Sequence, residues 1–271
     1  QSPLARLKQV LESLWLQVDI VRALAFREQS ERIRKSEFGA VGLLVEPLIF
    51  VGLWLLLRIA LRARGSDLMN PVLQFGSGFV LFYLFSSIAL RAINGVSRAQ
   101  RFADLRRVRP LDVLMAGALV ESQIYSTCLV LVIVGVALAQ WHITLADPGA
   151  AVAFFLLLVI TALGVGISAL VIGHRVPLVK LVVKLVVRRL LFWTSGLFFS
   201  IAMIPEYLRP YLLWNPLLHG IELFRHALVP SYPIPGISLP YLLAWALGSV
   251  GFSMLVYGNN EQLLVSDEVG E

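Results

Sequence analysis

Apolar residues gather into six long runs, at about 42–61, 72–93, 114–140, 149–173, 177–204 and 239–258. An α-helix needs roughly 20 residues to cross the hydrocarbon core of a bilayer, so the pattern predicts an all-α membrane protein with six transmembrane helices. The first forty residues follow a different rhythm. Leu4, Leu7, Leu11, Leu14, Val18, Val21 and Ala25 recur every three or four positions, while Lys8, Glu12, Asp19 and Arg22 fall elsewhere around the helix. That spacing predicts an amphipathic helix lying in the membrane surface, with Ser2 and Pro3 suited to its N-terminal cap and first turn. Between the fifth and sixth runs, seven of the 13 prolines fall within a stretch from Pro205 to Pro240 that is otherwise rich in Leu, Tyr, Trp and Phe. Proline at that density forbids one continuous helix, and the apolarity does not suit a solvated loop. Two short re-entrant helices, about 206–213 and 217–229, dipping into the outer leaflet satisfy both constraints, since non-helical backbone at that depth is tolerated only against protein or a water-filled cavity.

Composition sharpens this picture. The 271 residues are 58% apolar and 15% charged, against about 45–50% and 25% in soluble domains, which excludes a soluble enzyme and a disordered chain. The organisation predicted is a cytoplasmic amphipathic lead-in at 1–41, a transmembrane domain at 42–258 and a short acidic tail at 259–271. The formal charge of +6 is explained by topology, because Lys and Arg are kept on the cytoplasmic side. Of the 23 basic residues, 18 lie in 1–41, 91–112 and 173–189, and five (Arg58, Arg62, Arg64, Arg209, Arg225) lie elsewhere. Both termini are therefore expected in the cytoplasm, and a nucleic-acid partner is not called for. The charges scattered through the first forty residues argue against a cleavable signal peptide. The single Cys128, within an apolar run, offers no disulfide framework.

Candidate chemistry is sparse. No G-x-x-x-x-G-K-[ST] phosphate loop and no G-x-S-x-G elbow occurs. His219, Glu222 and His226 share one helix face at i, i+3 and i+7, but the order does not match H-E-x-x-H and Arg225 would oppose a cation. The trio reads instead as a polar face in which Glu222 pairs with Arg225 or a histidine, and no metal site is expected. A basic stripe carries more. Lys180, Lys184 and Arg188, with Arg189 beside them, climb the fifth run in steps of four. Arg188 lies roughly 17 Å past Pro177, at a depth where each charge costs about 2.5–3.5 kcal/mol. Two readings stand: the stripe lines a path for an acidic substrate, with Lys and Arg drawing carboxylates or phosphates, or it is neutralised by Glu46 and Glu121. Phe75, Phe79, Phe82 and Tyr83 on the second run suit helix packing or, for Phe79 and Tyr83, stacking on sugar rings. The connection 96–112 reads as a short charged helix with an apolar pair, Phe102 and Leu105, framed by Arg98, Arg101, Asp104, Arg106 and Arg107 and ended by Pro110. A helix that short is marginal by itself and fits a partner's groove.

Three segments resemble one family. Arg32-Ile33-Arg34-Lys35-Ser36-Glu37-Phe38-Gly39, running into Gly42 and Glu46-Pro47, looks like the approach to the first span of type-2 ABC exporter permeases. Phe102-Ala103-Asp104-Leu105-Arg106-Arg107 through Val113 resembles their coupling helix, and Trp214-Asn215-Pro216 through Arg225 resembles the re-entrant segment of the branch that exports capsular polysaccharide. The likeness covers nearly the whole chain. It implies a permease, not an enzyme, that forms a homodimer in a bacterial inner membrane. Two separate ATPase subunits would hold ATP and Mg, this chain binding no cofactor itself. The cargo would be a lipid-linked acidic glycan, passed to a periplasmic adaptor or co-polymerase of capsule export. On that likeness Arg98, Arg101, Phe102, Asp104, Leu105 and Arg106 transmit the ATPase motion. Lys180, Lys184, Arg188, Arg189, Phe79 and Tyr83 line the substrate path, the stripe itself being inferred from spacing. Trp214, Asn215, His219, Glu222 and Arg225 form an outer gate. Other cargoes, O-antigen or teichoic acid, stay open within the class. An integral-membrane lipid-phosphate transferase would need a general base and usually a metal, and its only candidates, Glu46, Glu121 and the 219–226 trio, lie far apart in sequence. A channel would not need the docking helix.

Overall fold

In the computed structural model the residues described are 3–36, 38–60, 69–95, 109–140 and 146–260. The described elements are all helical: α1 (Pro3–Lys35), α2 (Gly39–Ala60), α3 (Pro71–Ile93), α4 (Pro110–Gln140), α5 (Pro148–Arg175) and α6 (Pro177–Leu185). A π-helical turn (Val186–Leu191) leads on to α7 (Phe192–Thr194), two 3-10 turns (Ile201–Met203 and Glu206–Tyr211), α8 (Pro216–Leu228) and α9 (Leu239–Gly258). Proline stands at the first or second position of α3, α5, α6, α8 and α9, where its fixed φ suits the first turn and its missing N–H costs nothing. Asn70, Asp147, Asn215 and Ser238 cap four of these helices by accepting backbone N–H groups.

Among the described residues four helices are long and apolar enough to cross a membrane: Pro71–Ile93, Pro110–Ala139, Pro148–Arg175 and Leu239–Gly258. They coincide with the second, third, fourth and sixth predicted runs, and the first run falls on α2, a helix of 22 residues. The fifth run differs. Instead of a helix to residue 204, α6, the π turn and α7 end at Thr194, followed by Gly196 at φ +69° and extended backbone at Ser200. The positive φ, open to glycine, turns the chain, and Asn215 holds the Thr194 and Ser195 hydroxyls at 2.9 Å each. Where a re-entrant pair was predicted, at 206–213 and 217–229, the chain forms two short helical elements, the second 3-10 turn, with Pro210 inside it, and α8.

Helix α3 is the hub. It packs against α2, α4, α5 and α8 and is buried on nearly every side, with Phe79, Val80, Leu81 and Leu84 fully enclosed. Helix α5 joins it to α9, which approaches so closely that a Cβ on Gly164 would sit 2.6 Å from the carbonyl carbon of Ser249. Small residues at such crossings let transmembrane helices touch. Helix α9 turns Leu247, Met254 and Leu255 outward, as suits lipid or a neighbouring subunit. Helix α1 is not free of the rest: Leu24, with Ile20, Val21 and Ala25, packs on Val113 and Ala116 of α4. Part of its apolar stripe thus faces protein, while Trp15, Leu16, Val18 and Phe26 remain exposed.

Candidate functional site

A cavity of about 650 Å³ opens between α1, α2, α3, α4 and the π turn. Its walls carry Phe82, Tyr83, Ser86, Ser87 and Arg91 from α3, Glu121, Ile124 and Tyr125 from α4, Arg32 from α1, and Arg188, Arg189, Phe192 and Trp193 beyond α6. Three residues of the predicted substrate path, Tyr83, Arg188 and Arg189, are therefore brought together. Phe79 is fully buried behind them, its ring 6.4 Å from that of Tyr83 and edge-on to Phe192 and Phe198. Lys180 and Lys184 do not line the cavity. Both are half-buried on α6, the stem of Lys180 lying across Gly173 of α5. The stripe is divided because the π turn, with its i→i+5 bonding, starts at Val186 and breaks the four-residue step between Lys184 and Arg188.

The charges in the cavity are unequally matched. Glu121, 4% exposed, accepts from Arg32 Nη1 at 2.8 Å and is paired with Arg91 Nε. Arg32 is also paired with Glu28, which lies 3.5 Å from Arg91 Nη1. Burial opposes the charge on Arg32, but the carboxylates of Glu121 and Glu28 outweigh it and hold the guanidinium pKa above its ordinary value. Among the described residues Arg188 and Arg189 make no ion pair. The expectation that Glu121 neutralises the Lys/Arg stripe is thereby corrected: its partners are Arg32 and Arg91, delivered by α1 and by the last turn of α3. The Glu46 side chain lies outside the described residues. Among the described residues four guanidinium groups face two carboxylates, leaving two positive charges beside the rings of Tyr83, Phe192 and Trp193. Such a wall can take up a phosphate or carboxylate and keep an apolar or sugar face against aromatic surface.

The predicted outer-gate residues gather around α8. Asn215 caps its first turn through Leu217 N. Ser238 N donates to His219 Nδ1 at 3.0 Å, so the proton rests on Nε2, which donates to Leu213 O at 2.8 Å. The Tyr241 hydroxyl donates to Trp214 O at 2.6 Å. Arg225 is completely buried. It donates to Glu222 Oε1 (2.7 Å), Gln74 O (2.7 Å), Gly196 O (2.9 Å) and, more weakly, Ser77 Oγ (3.4 Å), while Tyr232 Oη donates to the same Glu222 oxygen at 3.0 Å. A Cβ at position 78 would lie 2.5 Å from Arg225 Nη2, so any larger residue there would have to displace the guanidinium. Glu222 thus pairs with Arg225 as the sequence indicated, and His226 Nδ1 contacts Tyr232 O at 2.8 Å. One guanidinium ties α8 to the first turn of α3 and to the turn that follows α7.

The predicted coupling residues Arg98, Arg101, Phe102, Asp104, Leu105 and Arg106 lie outside the described residues. At their C-terminal edge Asp112 accepts from Arg109 N at 3.0 Å and from Gln17 of α1 at 3.1 Å. Sequence reasoning missed Arg32, Arg91, Ser87 and Tyr125 as cavity residues. Arg91 was visible only as a topology signal and Arg32 as that and as part of a family-like segment, and the Ser87–Tyr125 hydrogen bond of 2.9 Å joins positions 38 apart.

Comparison with known proteins agrees with this architecture. The chain is 31% identical over 250 residues to the polysialic acid transport protein KpsM of Escherichia coli, covering 91% of this chain and 95% of that protein. It is 27% identical to the capsule polysaccharide export inner-membrane protein CtrC of Neisseria meningitidis serogroup A, over 79% of this chain and 81% of the relative. It is 23% identical to the capsule polysaccharide export inner-membrane protein BexB of Haemophilus influenzae, over 92% and 93%. The sequence model for the ABC-2 type transporter matches residues 20–229, a range that holds three of the four bilayer-length helices, and the chain belongs to the ABC-2 type transporter family.

Proposed function

We propose that this chain is the permease subunit of an ABC exporter that moves a lipid-linked acidic capsular polysaccharide across a bacterial inner membrane. The observation that carries the reading is the cavity in which Arg188 and Arg189 stand beside Tyr83 and Trp193 with no carboxylate partner among the described residues. Substrate classes in the names of KpsM, CtrC and BexB support it. In this reading α2, α3, α4, α5, the α6–α7 stretch and α9 are six spans, both termini are cytoplasmic, and α1 lies at the inner surface. Two copies of the chain enclose the path. Two ATPase subunits, holding ATP and Mg, grip residues 96–110, and a periplasmic adaptor or co-polymerase receives the polymer at the segment 206–229.

The chemistry asked of the protein is binding and movement. Arg188 and Arg189 draw the anionic head of the lipid or the acidic sugars from the cytoplasmic leaflet, with Lys180 and Lys184 on the approach. Tyr83 and Trp193 offer flat faces to sugar rings. The α8 cluster built on Trp214, Asn215, His219, Glu222 and Arg225 closes the outer end. The test is the double substitution Arg188→Ala with Arg189→Ala, assayed for polymer at the cell surface alongside the amount of permease in the membrane. Loss of surface polymer with the permease still inserted is expected. Normal polymer in that variant overturns the cavity as the substrate site.

A further inference from the structure

Glu121 sits where the cavity's own charges would place a ligand's anion. Its carboxylate is shared by two guanidiniums from different elements, Arg32 of α1 and Arg91 of α3. A third and fourth guanidinium, Arg188 and Arg189, line the same space with no carboxylate partner among the described residues. Arg32 is also one of three ties that fasten α1 along α4. The others are Gln17 to Asp112 at 3.1 Å and Leu24 seated on Val113 and Ala116. Asp112 in turn closes the first turn of α4 through Arg109 N, immediately after the segment 96–108.

We propose that Glu121 is an internal stand-in for the anionic ligand, and that a ligand carrying phosphate or carboxylate groups exchanges with it at Arg32, loosening α1 from α4. The inference rests on the cavity being the substrate site. The exchange is balanced at each end. A multiply charged ligand first meets Arg188 and Arg189, which need no displacement, and its next negative group offers Arg32 the same charge-assisted geometry that Glu121 does. Glu121 keeps Arg91, rooted in the largely buried helix α3, so no bare charge is left inside the protein. A neutral or zwitterionic ligand with no anion to spare cannot make the exchange, so the latch sorts ligands by charge. Linkage then works in both directions: whatever holds α1 down weakens the anion's binding, and bound anion frees α1. Because α1 and the start of α4 share Asp112, occupancy of the cavity is passed to the edge of the segment read as the ATPase contact.

The experiment uses the full chain in phosphatidylcholine nanodiscs, with Leu24→Cys as reporter in a Cys128→Ala background. Leu24 is 8% exposed against α4, so its reaction with a membrane-impermeant maleimide reads α1 release. Soluble dihexanoyl phosphatidylinositol 4-phosphate, which carries two phosphate groups, is the probe and dihexanoyl phosphatidylcholine the control, with binding followed by calorimetry. Coupling energies of ordinary size correspond to about 5-fold or more, so the anionic probe is expected to speed labelling by at least that factor and the control not at all. Glu121→Gln and, separately, Arg32→Gln are expected to give fast labelling without any probe, and Arg188→Ala with Arg189→Ala to abolish the probe's effect. Binding of the anionic probe with unchanged labelling overturns the exchange and leaves the cavity reading intact, as does slow labelling in both Glu121→Gln and Arg32→Gln. Absence of binding to the unsubstituted cavity overturns both.

Discussion

Replacing Arg225 with methionine removes a guanidinium that touches no solvent and leaves Glu222, itself fully buried, without its 2.7 Å partner. Breaking a buried ion pair from one side costs about 3–5 kcal/mol, because the surviving charge is stranded. Gly196 O loses its 2.9 Å donor at the same time, and Gln74 O loses its 2.7 Å one while still accepting from Ser77 Oγ at 3.2 Å. For chains of roughly 150–250 residues each kcal/mol moves the midpoint of thermal unfolding by about 2–4 °C, so the purified variant should melt on the order of 10 °C below the parent. The informative comparison is Arg225→Met combined with Glu222→Leu. An apolar pair of similar volume is often as stable as the ion pair it replaces, so the double variant should regain most of the loss. A melting point equally low in the single and double variants would refute the argument, since it would make the lost main-chain contacts, rather than the stranded carboxylate, the dominant effect.

Gly78→Ala brings a methyl to 2.5 Å from the Arg225 guanidinium and 3.4 Å from Leu197 Cα; a loss of about 1–3 kcal/mol is expected for such overpacking, checked by the same melting assay. Phe102→Asp or Arg106→Glu should leave membrane insertion intact while abolishing co-purification with the ATPase and its stimulation, and unchanged values of both would remove the docking role of 96–110. Lys180→Glu with Lys184→Glu should abolish surface polymer if the lysines guide the anion toward Arg188, whereas normal polymer would assign them to packing over Gly173.

Much of the fold was legible because membrane insertion writes it in local terms. Runs of apolar residues marked the helices, which start at Pro71, Pro148 and Pro216, each within a residue of the predicted beginning. The re-entrant segment could be read from the collision of proline density with apolarity. The end of the fifth run could not, because Leu197, Phe198 and Phe199 continue its hydrophobicity past Gly196 while the stop depends on Asn215 reaching back about twenty positions. The π turn was equally hidden, since nothing in Val186-Val187-Arg188-Arg189-Leu190-Leu191 distinguishes it from α-helix. The predicted basic stripe assumed unbroken 3.6-residue winding and therefore grouped Lys184 with Arg188. Glu121 was recognised as a charge in need of a partner, but its partners come from 89 positions upstream and from another helix, a distance that pattern alone does not bridge.

The wide turn also bears on how one helical stretch can bring two adjacent arginines to the same cavity. In regular α-helix neighbouring side chains diverge by about 100°, which would carry one of two consecutive charges away from it. Local overexpansion of the backbone lets both guanidiniums border that cavity while Leu181 and Leu185 on the preceding turns stay exposed. Winding is what keeps together and available a pair of charges that has no carboxylate partner among the described residues.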